Sequence, residues 1–431
     1  MKKNIKLDII ELLDEIMIGK YSNIQMNYYF SKKNYLQKEK EFITNVINIT
    51  IKNLIFIDYL IANVTKNIQK RKIRQLLRIS AAQILFMNSD NDGVIYEAVE
   101  TAKEINRHQS AFVNASLQAI IKKKEKIVAD IPEDRREGIL YSYPQWIVNK
   151  LKADYPQNYI KIMESYKKRS YLSVRYNKKK ISEIEFKKIL SEVKSDVVFK
   201  TGEIYYLSNG NIFKSEAFKK GDIVIQDASS YFAAKNLGVL KGDVVLDACS
   251  APGGKTLTIL QETEPEIVVA SDIHPHKIKI LEDMKKKYNL ENLHIYLNDA
   301  SRTENLNMQF SRILADVPCS GLGVLRKKPE KIYNLTPENI KHLKKLQKNI
   351  FESCYNSLKS EGVILYSTCT FIKNENTNNL EYFLNKFPDL TVEKIYLPEN
   401  IKKEEDPFGG VYITSENEFL DGFYMAKLRK K

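Results

Sequence analysis

Two cysteines sit in settings suited to covalent chemistry. Cys319 lies in Asp-Val-Pro-Cys-Ser-Gly-Leu-Gly, residues 316–323, and Cys369 lies in Ser-Thr-Cys-Thr, residues 367–370. Each follows an apolar run of strand composition, so each thiol is expected just past a buried strand. A lone buried cysteine usually serves as a small hydrophobe. Two at neighbouring strand ends, beside a turn suited to a cofactor, are harder to dismiss as packing. A thiolate that adds to C6 of cytosine breaks the ring's aromaticity and makes C5 enamine-like. C5 can then take a methyl group from a sulfonium donor, after which a base removes the C5 proton and the thiol leaves. The scheme needs a thiolate, an acid at the N3/N4 edge of the base and a donor within reach. Free cysteine has a pKa of about 8.5, so the site must lower it or deprotonate it on binding. Asp316 suits the N3/N4 edge, and Lys255 could polarise the base or stabilise a nearby anion. On residue types alone, either Cys369 or Cys319 fits the attacking position. Cys249, within a tight turn, and Cys354, beside Ile350, Phe351 and Leu358, read as packing.

A donor site is visible upstream. Residues 244–256 read Val-Val-Leu-Asp-Ala-Cys-Ser-Ala-Pro-Gly-Gly-Lys-Thr: an apolar strand, an acid, a small-residue turn and a helix start. Gly253 and Gly254 let backbone approach a ligand closely. Three ligands compete for such a turn. A nucleotide P-loop requires a glycine where this chain has Cys249, and a dinucleotide site requires Gly-x-Gly-x-x-Gly, which is missing. The third, S-adenosylmethionine, needs a glycine turn for its methionine part and an acid on the next strand for its ribose. Asp272 supplies that acid, 25 residues after Asp247, and Asp299 ends a third strand near where an adenine amino group would lie. Each aspartate alone could be a helix N-cap.

These groups require a particular scaffold. Strands are expected at Val244–Asp247, Ile267–Asp272, His294–Leu297, Arg312–Asp316 and Val363–Ser367, with a late pair near Val392–Tyr396 and Phe423–Leu428. Strands alternating with helices over residues 220–431 imply an α/β, mostly parallel, doubly wound sheet, which binds ligands at its carboxyl edge. Residues 1–128 read as an all-α bundle, with stripes such as Leu76, Leu77, Ala81, Ile84 and Leu85. Asn91-Asp92-Gly93 marks a turn. Residues 129–219 read as a polar connector around Ile131–Arg136, then a helix opened by Pro144 with Trp146 as a packing anchor, then a small α+β module. That module has a strand at Tyr171–Tyr176 and a capping box of Ser182 and Glu185.

Bulk properties narrow the class. The chain has 431 residues, 43% of them hydrophobic and 28% charged. No run is long and apolar enough to span a bilayer, and acids at Asp8, Glu11, Asp14 and Glu15 deny the basic Met1–Lys3 start a signal core, so a cytoplasmic protein is expected. The net charge is +14, which suits a polyanionic partner as well as a merely lysine-rich proteome. Lys66, Lys70, Arg71, Lys72, Arg74 and Arg78 lie in a stretch without acids, and Lys122, Lys123, Lys124 and Lys126 form a second group. Both suggest phosphate contact. The four cysteines include no Cys-x-x-Cys pair, so no metal site is expected.

The motifs of residues 247–256, 316–323 and 367–370 resemble those of the NOL1/NOP2/Sun family of RNA cytosine-5 methyltransferases. The resemblance implies a Rossmann-like class I methyltransferase domain using S-adenosyl-L-methionine. It makes Cys369 the nucleophile and Cys319 the residue that assists product release. It assigns cofactor contacts to Cys249, Ser250, Ala251, Pro252, Gly253, Gly254, Lys255, Asp272, Asp299 and Asp316, with Lys255 and Asp316 also bordering the base. Leu76–Leu85 and Phe112–Leu117 look like a NusB-type RNA-binding domain, and Ile225–Ser230 resembles the segment before the catalytic core. Together these are similar to the RsmB/Sun branch, whose partner is small-subunit (16S) ribosomal RNA. A monomer is expected. A transfer-RNA target and a non-catalytic RNA-binding or assembly factor are the alternatives. Ser250 replaces an alanine usual in the family, and Lys328 stands where it often has histidine.

Overall fold

The computed structural model describes residues 4–66, 70–414 and 416–431, so the Met1–Lys3 part of the basic start lies outside the described residues. The chain divides into two compact units: Met1–Lys167 with Lys327–Asn334, and Lys168–Arg326 with Leu335–Lys431.

The first unit is helical. Its α-helices are α1 (Ile5–Met17), α2 (Ser22–Lys32), α3 (Gln37–Lys52), α4 (Leu54–Val64), α5 (Arg71–Phe86), α6 (Asn91–Asn106), α7 (Ser110–Ala129), α8 (Arg136–Tyr141), α9 (Gln145–Asp154) and α10 (Tyr159–Lys167). The stripes read from the sequence form its core, where Leu76 and Leu77 of α5 join Ile9, Leu13, Val46, Leu60, Ala98 and Leu117. Asn91-Asp92-Gly93 is not a turn. It opens α6, because Asp90 caps the helix by accepting the Gly93 N–H at 3.0 Å. The polar stretch at 131–136 coils into a 3-10 turn, Glu133–Arg135, and runs on into α8. Pro144 stands one position outside α9, and Trp146 is only half-buried. Two of the six clustered cations are not unopposed. Arg71 Nε donates to Asp14 at 2.9 Å, and Arg78 Nε to Asp58 at 2.7 Å.

The segment Lys327–Asn334 belongs to this unit because its side chains complete helix ends. α2 has no capping side chain of its own at Tyr21. Glu330, 3% exposed, accepts the Ser22 N–H at 3.1 Å and the Ser22 hydroxyl at 3.0 Å. It thereby sets a carboxylate against the positive end of the helix. Tyr333 donates its hydroxyl to the Ile51 carbonyl near the end of α3 at 2.6 Å.

The second unit holds two sheets. β1 (Leu172–Tyr176), β2 (Val197–Thr201), β3 (Ile204–Leu207) and β4 (Ile223–Ile225) form an antiparallel sheet in the order β2-β3-β1-β4. α11 (Glu183–Glu192) packs Phe186 and Leu190 against it and begins with the expected capping box. A short helix, α12 (Glu216–Lys220), precedes β4.

The larger sheet is built on β5 (Val244–Asp247), β6 (Ile267–Asp272), β7 (Leu293–Leu297), β8 (Phe310–Asp316) and β9 (Leu358–Thr368), all parallel, in the order β9-β8-β5-β6-β7. An antiparallel wing continues beyond β9. It contains β10 (Leu390–Glu393), β11 (Lys403–Glu405), β12 (Val411–Ile413) and β13 (Phe423–Lys430), of which β11 and β12 had no sequence signal. Side chains alternate faces along the parallel strands. Val245, Val268 and Leu314 pack with α13 (Ala228–Asn236), α14 (Gly254–Glu262) and α15 (Pro275–Tyr288). Leu246, Val269 and Ile313 pack with α16 (Pro337–Asn356) and α17 (Thr377–Lys386). The sheet is thus doubly wound. Its order reverses between β5 and β8, the switch point where such sheets open a crevice at their carboxyl edge. Among the described residues no single helix is long and apolar enough to cross a membrane.

Replacing Glu330 with alanine should destabilise the helical unit by about 1–2 kcal/mol, the cost typical of a lost helix cap. Urea unfolding followed by circular dichroism checks this, and an unchanged midpoint would show that α2 does not depend on the cap.

Candidate active site

The carboxyl edge of the parallel strands carries the residues singled out by the sequence. After β5 the chain turns through residues 248–253 and enters α14. The turn is tied to the neighbouring strand: the Ser250 N–H and hydroxyl both donate to the Ser271 carbonyl, at 2.9 and 3.0 Å. Ala251-Pro252 is a cis peptide. Gly253 has φ +98°, a left-handed backbone that favours glycine, and a Cβ there would also crowd the Met284 side chain. Cys249 packs against the core beneath the sheet, and burial pushes its thiol well above the ordinary range.

Asp247 is 1% exposed. Its Oδ2 accepts the Thr256 hydroxyl at 2.6 Å, while Oδ1 is buried without a partner. Burial pushes its carboxyl up to about 7, against the pull of Thr256 and Lys255. Asp272 ends β6, accepting the His274 N–H at 3.1 Å and pairing with Lys277 at 3.2 Å. Asp299, just past β7, accepts the N–H and hydroxyl of Ser301 at 2.9 and 2.7 Å. It is thus an N-cap and a strand-end acid at once. The unpartnered oxygen of Asp247, the bare turn at Gly253–Gly254 and the acids after successive strands fit a cationic nucleoside donor. They offer acceptors for an ammonium and a ribose diol, with no side chain to block the turn. Among the described residues no group of His, Cys, Asp and Glu could hold a metal ion.

The second half of the site lies at β8 and β9. Lys255 Nζ meets Asp316 Oδ2 at 2.6 Å and lies 5.6 Å from the Phe423 ring centroid. Burial lowers the lysine's affinity for its proton, but Asp316 outweighs it and leaves the pKa above its usual value. The pairing with Asp316 thus favours the protonated lysine against the cost of burying it. Asp316 Oδ1 accepts the Ser367 hydroxyl at 2.7 Å, a contact fixed by the pairing of Asp316 with Ser367 across the strands. Past the strand ends, Cys319 Sγ and Cys369 Sγ approach to 3.2 Å, and the Cys369 N–H donates to Cys319 Sγ at 3.3 Å. Gly323 closes the Cys319 loop. Its N–H donates to the Cys369 carbonyl at 2.9 Å, and a Cβ there would come within 2.0 Å of the Gly422 carbonyl oxygen.

The structure thus pairs Lys255 with Asp316 and Cys319 with Cys369 through direct contacts at the ends of β8 and β9, while Asp272 and Asp299 hold their own turns on the same sheet edge. Ser367, Gly323 and Phe423 were missed as site residues. Ser367 and Gly323 stand within the quoted cysteine motifs, and that position was the available signal. Phe423 reaches the site from the antiparallel wing and had none.

A doubly wound sheet with a glycine turn after its central strand and acids at the ends of its neighbours defines a Rossmann-like class I methyltransferase. Residues 234–429 match the family described as 16S rRNA methyltransferase RsmB/F, residues 4–122 match the NusB family, and residues 143–200 match the RsmF/B-like ferredoxin-like domain. A Bacillus subtilis protein named "Probable ribosomal RNA small subunit methyltransferase B" is 31% identical over 95% of each chain. The Pasteurella multocida ribosomal RNA small subunit methyltransferase B is 29% identical over 84% of this chain and 80% of its own. The crystal structure of PH0851 superimposes with a TM-score of 0.82 over 99% of this chain and 98% of that one, at 23% identity. The chain belongs to the RsmB/Sun family of methyltransferases.

The raised carboxyl of Asp247 has a thermodynamic signature. The folded chain binds this proton more tightly than the unfolded chain does. Folding stability should therefore decline as pH rises from about 4 through about 7, then level off. Asp247→Asn should flatten that slope relative to the parent in urea titrations between pH 5 and pH 7.5. Parallel slopes in the two proteins would rule the assignment out.

Proposed function

We propose that the protein transfers a methyl group from S-adenosylmethionine to C5 of a cytosine in 16S ribosomal RNA, through a covalent bond between Cys369 and C6. The observation that carries the reading is the pair of thiols 3.2 Å apart, on the loops that follow β8 and β9 beside the Lys255–Asp316 pair. When bound, the donor supplies an electrophilic methyl. Ser250, Ala251, Pro252, Gly253 and Gly254 form its cradle, Cys249 anchors the cradle from below, and Asp272 and Asp299 take its ribose and adenine.

The chain's own residues do the rest. Cys369 attacks C6. Asp316 holds the N3/N4 edge, its carboxylate oriented by the Ser367 hydroxyl and by Lys255. Lys255 stays protonated and balances negative charge developing on the ring. Cys319, in contact with Cys369, assists loss of the C5 proton and release of the product. The cytosine has to leave its stack to reach thiols held at strand ends.

The same reading gives RNA holding to residues 1–128 and to the module at 129–219, and catalysis to residues 220–431, in a cytoplasmic monomer. Exposed Lys66, Lys70 and Lys72, with Lys122, Lys123 and Lys126, support phosphate contact. The similarity to curated relatives named for small-subunit ribosomal RNA supports the substrate.

Cys369→Ser should lose methyl transfer to 16S RNA, measured with labelled donor, while calorimetry still shows donor binding. Full turnover by this variant would move the nucleophile elsewhere. Cys319→Ala should instead accumulate a protein–RNA adduct that survives denaturing electrophoresis. A turnover-competent Cys319→Ala enzyme without adduct would remove Cys319 from the release step.

A further inference from the structure

Outside the contacts already assigned lies a set of buried polar side chains with no obvious work in packing. Glu375, Asn376, Asn379 and Gln347 are all 0% exposed. Burying a carboxylate and three amides is costly unless their hydrogen bonds are satisfied. Their bonds run to the two cysteine loops.

Glu375 Oε2 accepts the Ser320 N–H at 2.9 Å and the Gln347 amide at 2.8 Å. The same Gln347 amide donates to the Pro318 carbonyl at 3.0 Å. The two peptide groups that flank Cys319 are thus fixed by one side-chain pair. Asn379 steadies that pair by donating to Gln347 Oε1 at 2.9 Å. The next residue in sequence serves the other loop. Asn376 Oδ1 accepts the Thr368 hydroxyl at 2.6 Å, and its amide donates to the Thr370 carbonyl at 2.9 Å, so both neighbours of Cys369 are held. A bond of 2.8 Å between the Ser320 and Thr370 hydroxyls joins the two halves.

We infer that Glu375 and Asn376 are positioning residues for the two thiols: Glu375, with Gln347, sets Cys319, and Asn376 sets Cys369. The inference deepens the proposed cysteine mechanism and rests on it for its catalytic consequence. Because the two residues hold different cysteines, their loss should fail in opposite ways. Glu375→Ala frees Cys319, so release slows and adduct accumulates. Asn376→Ala frees Cys369, so attack slows and the adduct trapped by Cys319→Ala declines when the two changes are combined. Each change should be about 10- to 100-fold in single-turnover rate, the range expected when a reacting group shifts by about an ångström. A merely structural role would lower both steps together.

A second measurement needs no RNA. Diamide takes two electrons and two protons from a thiol pair, leaving an Sγ–Sγ bond and a hydrazine. Parent protein should close Cys319–Cys369 rapidly, as mapped by peptide mass spectrometry. Glu375→Ala and Asn376→Ala should close it at least about 10-fold more slowly. Glu375→Gln, which keeps an acceptor oxygen, should restore most of the rate. If Glu375→Ala does not fold, Gln347→Met removes the other arm and carries the same test. Slower closure with opposite adduct changes supports the inference. Slower closure, when Cys319→Ala protein traps no RNA adduct, keeps the positioning role and overturns the proposed mechanism. Parent-like closure in both alanine variants, with folding intact, overturns the inference.

Discussion

Parallel strands that lie side by side end at the same edge of their sheet, and the site depends on that constraint. β8 and β9 pair with Asp316 opposite Ser367. From that register follow the hydroxyl on the carboxylate, the exit of both cysteine loops from one edge and the meeting of two sulfurs 50 residues apart. A slip of one residue would turn Asp316 and Ser367 to opposite faces of the sheet. The reversal of strand order between β5 and β8 then opens space beside them, so the glycine turn and Lys255 face the carboxylate from the other side of the crevice.

Charge at this edge is distributed by burial and partner. Asp316 meets an ammonium and a hydroxyl, whereas Asp247 meets one hydroxyl and leaves an oxygen bare. Two carboxylates at adjacent strand ends therefore differ in character without differing in residue type. One serves an ion pair, and burial raises the other's affinity for a proton.

Much of this arrangement was legible before any coordinates. β5 and β6 are bounded as the alternation of apolar runs and acids suggested, because a strand buried on both faces has few ways to hide its composition. β11 was illegible for the converse reason: Lys403–Glu405 is exposed and charged, and only pairing with β12 makes it a strand. The turn read at Gly93 failed because a cap at Asp90 outweighed the helix-breaking tendency of glycine. The basic run around α5 looked unopposed because Asp14 is 57 positions from Arg71. Gln347 and Asn379 have residue types that normally sit at the surface, and no pattern in a single sequence reveals that they are buried at the heart of the site.

The helical unit contains eight residues, Lys327–Asn334, encoded far downstream of the rest of it. The backbone therefore crosses between units three times, at 167–168, 326–327 and 334–335. A chain made in order leaves α2 unfinished until the middle of the catalytic unit has been translated. Recombination that swapped only the first 167 codons would strand the new helices without the carboxylate and the phenol that complete them. An exchange of the helical unit therefore has to carry codons 327–334 along with the first 167.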